Sequence, residues 1–370
     1  MIKQFYLEKK IKKNLSLKDI NEISYYFKSR SKTNNKLFYL IKTILINKKK
    51  KLLSKNKLLK KKINYEISNL DYQILCFQDW IVLSNIFLVC GFFSESYKIR
   101  MLSYKKFEKT SMKFMYLKQY LFFQIFIKKQ KQSKYRKFMF SFFLIFMKFY
   151  NFKNFFEYDF RKLVKGKTIA IIGPGDNIKN IKNLSKFDLF VYLSYFGKKK
   201  NSTKSPVDIS YLNGDDVDKV NRNKRYYEDL KKSKIKFLCI KKNSQKRLFD
   251  NQRVYANKNF FYSGTPNGLQ FVILDLILSG VKKIKLFNFN FYLDKKVYYT
   301  NYSNFKNKNF NSIKEMWLYS FTIHDYYSNY IFIKYLYKNK IVKVDKTLKK
   351  ILEFSNINFN NRFYKFYRLF

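Results

Sequence analysis

Thr168-Ile169-Ala170-Ile171-Ile172-Gly173-Pro174-Gly175 is the stretch on which the reading of this chain turns. Five β-branched or apolar residues ending in Gly-Pro-Gly are too few for a stable helix and suit a buried strand that stops at a tight turn. The periodic segment Ile178 to Leu184 follows, so the order is strand, turn, helix. Further runs continue the alternation. Phe187 to Leu193, Val207 to Leu212, Ile235 to Ile240, Ile284 to Phe291 and Ile341 to Asp345 read as strands. Gly268 to Ser279, stopped by Gly280, and Asn329 to Tyr337 read as helices. Strands alternating with helices predict an α/β domain with a parallel sheet covered on both faces, and ligands of such sheets bind beyond the carboxyl ends of the strands.

Working outward, residues 1–162 carry apolar positions at helical spacing among lysines, with Gly91 breaking a helix pair. Trp80 to Arg100 resembles a helical hairpin of tetratricopeptide type, an ordinary helical bundle being the alternative, and a second pair is expected near 108–128 and 133–150. The expected domains are therefore a helical one over 1–162, an α/β one over 163–350, and a basic aromatic tail over 351–370.

The formal charge of +53 arises from 78 Lys+Arg against 25 Asp+Glu. Such a charge attracts nucleic acid or an anionic membrane surface. Lysine is nevertheless spread along the whole chain, and with abundant Asn, Ile, Phe and Tyr this reads as codon bias of an AT-rich genome rather than a nucleic-acid footprint, which clusters on one face. Three scattered cysteines, Cys76, Cys90 and Cys239, build neither a disulfide framework nor a zinc site and point to a reducing compartment. The opening residues Met1 to Lys10 lack the apolar core of a secretory signal. Ile74 to Phe93 is interrupted by Gln78, Asp79, Ser84 and Asn85, and Phe138 to Phe149 is shorter than the roughly 20 residues that span a bilayer. No spanning helix is expected. Both segments read as buried helices of a cytoplasmic protein, with peripheral contact of the second to the inner face of an anionic membrane as the alternative.

Gly173 and Gly175 free the backbone for a close approach to a ligand, and the helix start that follows offers N–H groups to phosphate. The third glycine of the dinucleotide fingerprint is missing and so is Gly-Lys-Ser/Thr, which disfavours nicotinamide cofactors and P-loop hydrolysis. Asp215, Asp216 and Asp218 have the spacing of a divalent-cation site, or of a loop or helix start where carboxylates meet the positive dipole end. Tyr292 and Tyr298 follow a strand end, where phenols can donate hydrogen bonds to a departing phosphate. His324, the single histidine, precedes a helix and suits a general base.

These residues carry a resemblance. From Lys167 to about Asp345 the chain resembles the bacterial lipooligosaccharide sialyltransferases of glycosyltransferase family 42, through Gly173-x-Gly175, Phe187-Asp188-Leu189-Phe190, Asn213, Asn267-Gly268, Phe291-Tyr292, Tyr298 and His324. The resemblance implies a Rossmann-like sheet and metal-independent transfer of a sialic-acid-like sugar from a CMP-activated donor to a glycan or glycolipid acceptor. No cofactor beyond that donor substrate is implied. It gives His324 the role of base, Tyr292 and Tyr298 the leaving phosphate, and Gly173, Gly175, Asn213, Asn267 and Gly268 the donor site. Pro174, Leu193 and Gly268 depart from the family pattern of asparagine, asparagine and serine, and so bear on donor identity. The rival readings are a metal-dependent transferase using Asp216 and Asp218, and a non-catalytic RNA- or membrane-surface-binding protein.

Overall fold

The computed structural model describes residues 16–30, 35–49, 57–69, 77–109, 157–173, 184–196, 206–241, 249–255, 267–293, 318, 320–322 and 324–367. Every described element before Thr168 is a helix: α1 (Leu17–Arg30), α2 (Asn35–Lys49), α3 (Lys57–Ser68), α4 (Phe77–Val89), α5 (Phe93–Lys109) and α6 (Glu157–Val164). Then follow β1 (Thr168–Ile172), β2 (Leu189–Leu193), β3 (Ile209–Leu212), α7 (Gly214–Arg222), α8 (Lys224–Lys232), β4 (Phe237–Lys241), β5 (Gln252–Tyr255), α9 (Gly268–Leu278), β6 (Lys283–Phe287), α10 (Tyr326–Lys338), β7 (Val342–Val344), α11 (Lys346–Leu352) and α12 (Asn356–Tyr367). The protein is of the α/β type.

The seven strands form one sheet in the order β5-β4-β3-β2-β1-β6-β7, and every pair is parallel. β1 is buried on both faces, Ala170 and Ile172 on one and Ile169 and Ile171 on the other, which is why its sequence is a continuous apolar run. From β1 the chain adds β2 to β5 outward on one side, then returns to lay β6 against the other side of β1. The strand order reverses between β1 and β6.

Register explains how the faces are covered. Tyr211, Cys239 and Arg253 stand in one row across β3, β4 and β5. On that face Asp275 of α9 receives both Arg253 and Tyr211, and Phe160 of α6 lies 3.9 Å under the Arg253 guanidinium. Leu212, Leu238 and Ile240 point the other way, into a cluster with Val217, Val220 and Leu230 of α7 and α8. Helices thus cover both faces. At the amino edge, Asp188 accepts from the Thr168 N–H and Asp208 from the Phe190 N–H, at 2.7 and 2.8 Å. These carboxylates satisfy strand-end donors that have no ladder partner.

Contacts divide the chain into two compact units. One comprises Met1–Leu117, Phe305–Asp325 and Asn361–Phe370, the other Lys118–Asn304 and Tyr326–Asn360. The expected boundaries at 162 and 350 do not fall at these divisions. In the first unit α4 and α5 form the expected hairpin. Gly91, with φ +82, ends α4 by a double bond pattern, Phe92 N–H to Phe87 O and Gly91 N–H to Leu88 O, with the Phe87 and Phe92 rings in contact. The second hairpin expected near 108–150, like the Phe138–Phe149 segment, lies almost wholly outside the described residues. Nor is 351–370 a tail. Phe359, Phe363 and Tyr367 recur every fourth residue on α12 and are buried, as one helical stripe requires. Among the described residues no helix is long and apolar enough to cross a membrane.

Candidate functional site

At the carboxyl edge of the sheet the backbone departs from ordinary geometry. Five described non-glycine residues have positive φ, and four of them follow β2 or β6: Ser194 (φ 56), Asn288 (φ 62), Phe291 (φ 48) and Tyr292 (φ 61). Left-handed backbone costs an L-residue on the order of 1–2 kcal/mol, more for a bulky aromatic than for Asn, and such residues gather at functional sites. The β6 expectation of a strand reaching Phe291 fails for this reason: β6 stops at Phe287, and Asn288 turns the chain.

What holds the turn is visible. The Asn288 N–H donates to Asp345 Oδ2 at 2.7 Å, while Asp345 Oδ1 caps α11 through the Leu348 N–H. The Tyr292 N–H donates to Asn290 Oδ1 at 3.0 Å, and Phe291 packs edge-on against Tyr330. Gly173, at the end of β1, donates its N–H to Phe287 O, and a Cβ there would come within 2.8 Å of Asn288 O and of the Phe289 ring. Its glycine is therefore demanded by the β6 turn crossing over β1, whatever ligand approaches. The side-chain Nδ2 of Asn288 is buried without a hydrogen-bond partner. An unpaired buried donor is costly, and this one stands at the left-handed turn that ends β6.

Two helix N-termini meet this edge, and they differ. Asn213 caps α7: its side chain accepts from the Asp216 N–H at 2.9 Å, and the Asp216 carboxylate accepts from the Asn213 N–H at 3.3 Å. Asp216 is buried, accepts from the Ser194 hydroxyl at 2.6 Å, and faces Lys219 at 3.8 Å. Of the two readings of the acidic cluster, its position in a helix start describes Asp216, whereas Asp218 is exposed. Among the described residues no group of three or more His, Cys, Asp or Glu is gathered for a metal. The N-terminus of α9 has no side-chain cap among the described residues. Asn267 makes no side-chain cap bond, and its own N–H is taken by Asn329 Oδ1 of α10. A Cβ on Gly268 would meet nothing within 4 Å. Gln270, buried in the first turn of α9, donates to Asn329 O, and its Oε1 is unpaired. An uncapped helix start offers N–H groups and a positive dipole end to an anion.

Gly173, Asn213, Asn267, Gly268 and Tyr292 thus share one edge in one unit. Gly175 and Tyr298 lie outside the described residues. His324 belongs to the first unit. Its N–H closes the turn from Ser320 O, and the next residue, Asp325, is fully buried and paired with Arg100 of α5 at 2.9 Å. Arg100 also donates to Asn85 Oδ1 and Ser84 Oγ, so a set of polar side chains on α4 and α5 fixes the backbone next to His324. Sequence reading missed Arg100, Ser194 and Asn288. For Arg100 the only signal was a charged residue in the apolar stripe of a helix.

Of the three cysteines Cys76 lies outside the described residues, and Cys90 and Cys239 are buried and unpaired with each other. Burial pushes the Cys90 thiol up to about 11 and the Cys239 thiol up to about 12, while Lys48 and Arg253 respectively pull the other way. No protein family model, curated protein or solved structure matches the chain. The class that the fold defines is an α/β protein with a seven-stranded parallel sheet.

Proposed function

We propose that the protein is a glycosyltransferase with a Rossmann-like domain, moving a sialic-acid-like sugar from a CMP-activated donor to a glycan or glycolipid acceptor. The observation that carries this reading is the strained turn after β6 at the reversal of strand order, which presents Tyr292 on left-handed backbone. Open parallel sheets take their ligands at that reversal. The uncapped start of α9 on the same edge suits the donor's phosphate. In this reading Tyr292 and Tyr298 donate to the phosphate oxygens as the sugar–phosphate bond breaks, and His324 takes the proton of the acceptor hydroxyl. Gly173 and Gly175 shape the loop after β1. Asn213 contributes through Nδ2, since its Oδ1 is spent on the α7 cap.

The test is a thermal-shift comparison of CMP, UDP and GDP, followed by assay of CMP release from CMP-sialic acid with a glycan acceptor. CMP at 100 times its dissociation constant is expected to stabilise by about 2.7 kcal/mol. Activity is expected to persist in excess EDTA. Stabilisation by UDP or GDP alone, or transfer that vanishes in EDTA and returns with Mn²⁺, overturns the reading.

A further inference from the structure

The outer surface of α1–α3 is wrong for a face that meets only water. Eight large hydrophobic side chains are exposed among the described residues, and five of them, Leu17, Tyr25, Tyr39, Leu58 and Tyr65, stand on these three helices. On α3, Ile63 and Ile67 are buried inward, while the opposite stripe reads Leu58, Lys61, Lys62, Tyr65 at spacing i, i+3, i+4, i+7. That stripe should be polar throughout. Instead Leu58 is 77% and Tyr65 70% exposed, on either side of two lysines.

A second group lies on α1 and α2. The rings of Tyr25 and Tyr39, 56% and 63% exposed, both contact Phe38, at 5.2 and 5.1 Å, and the Lys42 ammonium stands 5.7 Å from the same ring. By sequence the three helices hold eleven Lys and Arg against three acidic residues, and of the basic side chains described Lys18, Lys61 and Lys62 are exposed and Lys42 half-buried. Leucine and tyrosine interleaved with lysine is the composition of a surface that lies in a lipid headgroup layer, the apolar atoms in the acyl boundary and the ammonium groups among anionic headgroups. A second copy of the chain is disfavoured because two such basic faces repel. Leu58 has neither ring to stack on a base nor polar atom to read one.

We propose that the α1–α3 face docks on an anionic membrane, inserting Leu58, Tyr65, Tyr25 and Tyr39 while the adjacent lysines meet the headgroups. The proposal is independent of the glycosyltransferase reading and stands or falls separately from it.

Because a chain of formal charge +53 binds anionic vesicles through charge alone, the test must remove apolar surface without changing charge. The full chain is sedimented with phosphatidylglycerol–phosphatidylcholine vesicles in salt of about 0.5 M, where the Debye length falls to roughly 4 Å. Wild type is expected to retain binding. Leu58→Ser with Tyr65→Ser, and Tyr25→Ser with Tyr39→Ser, are each expected to lower the partition coefficient about tenfold or more. Tyr158→Ser with Ile357→Ser, removing exposed side chains elsewhere, is expected to change it less than about twofold. A full-chain Leu58→Trp variant supplies a second reading: its added emission should shift to the blue and be quenched by brominated lipid. Loss of all wild-type binding in salt, equal partition of the three double variants, or no quenching overturns the proposal. So does a Leu58→Ser, Tyr65→Ser chain that keeps vesicle binding but loses affinity for single-stranded RNA.

Discussion

Asp275 is the side chain on which one sheet face is hung. Arg253 reaches it through two bonds of 2.6 and 2.8 Å, and the Tyr211 hydroxyl adds a third at 2.5 Å. Burial alone pulls the guanidinium of Arg253 down, but the Asp275 carboxylate overrides it and holds it well above its ordinary range. Burial and the same carboxylate push Tyr211 well up. Breaking a buried pair by removing one partner costs about 3–5 kcal/mol because a charge is left alone. Arg253→Met should therefore lower unfolding stability by that amount in urea, and Arg253→Met with Asp275→Leu should recover most of it. A single replacement costing under about 1 kcal/mol would mean that water already reaches the pair. The same residue explains what reading the sequence missed. β1 is plain from five apolar residues, whereas β5, Gln252-Arg253-Val254-Tyr255, carries a charge inward, and no periodicity rule assigns a buried arginine to a core. Gly173 was readable as a turn residue but its reason was not, since the atoms that exclude a Cβ there, Asn288 O and the Phe289 ring, come from a stretch distant in sequence. For Tyr292, replacement by Phe keeps the ring and removes the proposed donor, so kcat should fall by roughly 10–10³-fold with CMP affinity little changed. Normal kcat would leave Tyr292 a packing residue.

At the scale of elements, three helices end by one device. α4, α9 and α10 close with left-handed residues Gly91, Gly280 and Lys340, each with the paired bonds that satisfy the last carbonyls. The stops after α4 and α9 were readable because glycine announces them. The one after α10 was not, because lysine pays the steric cost of φ 58 without advertising it. Lys340→Gly should raise unfolding stability by about 0.5–1 kcal/mol, the relief of left-handed strain less the added entropy of the unfolded chain. An unchanged or lower stability would show the lysine to be held by other contacts. Also on α10, Lys334 donates to Tyr330 Oη, Asn356 Oδ1 and Phe354 O without a carboxylate among these partners. Burial, reinforced by Lys338, pulls its ammonium down to about 8. Below pH 8 both folded and unfolded chains bind the proton, and the folded state bears the whole cost of a buried cation. Between 8 and about 10.4 only the unfolded chain keeps it, so stability from this group rises with pH. Wild-type melting temperature minus that of Lys334→Met should increase across that window. A flat or falling difference contradicts the burial of a charged amine.

At the scale of the whole molecule, the sequence order of helices then sheet suggests two domains cut once, yet the contacts return two later stretches, Phe305–Asp325 and Asn361–Phe370, to the unit begun by Met1–Leu117. The reason is physical. Arg100 of α5 is buried and needs Asp325, Asn85 donates to Thr322 O, and Phe93 stacks on Tyr364 at 5.2 Å. Phe321 meets Phe363 and Tyr367 in the same core. None of Asp325, Thr322, Tyr364 or Tyr367 is present in a fragment of residues 1–162. Such a fragment leaves a buried guanidinium without its carboxylate and exposes aromatic rings, so it should keep helical far-ultraviolet circular dichroism while losing near-ultraviolet signal and cooperative unfolding. Adding Arg100→Met to the fragment removes the unpaired charge and should restore part of the cooperativity. In the full chain the same Arg100→Met replacement should instead destabilise, because there Asp325 becomes the orphan. If the fragment unfolds as cooperatively as the first unit does within the full chain, the returning segments are dispensable to its core, and the backbone next to His324 is held by something other than Arg100.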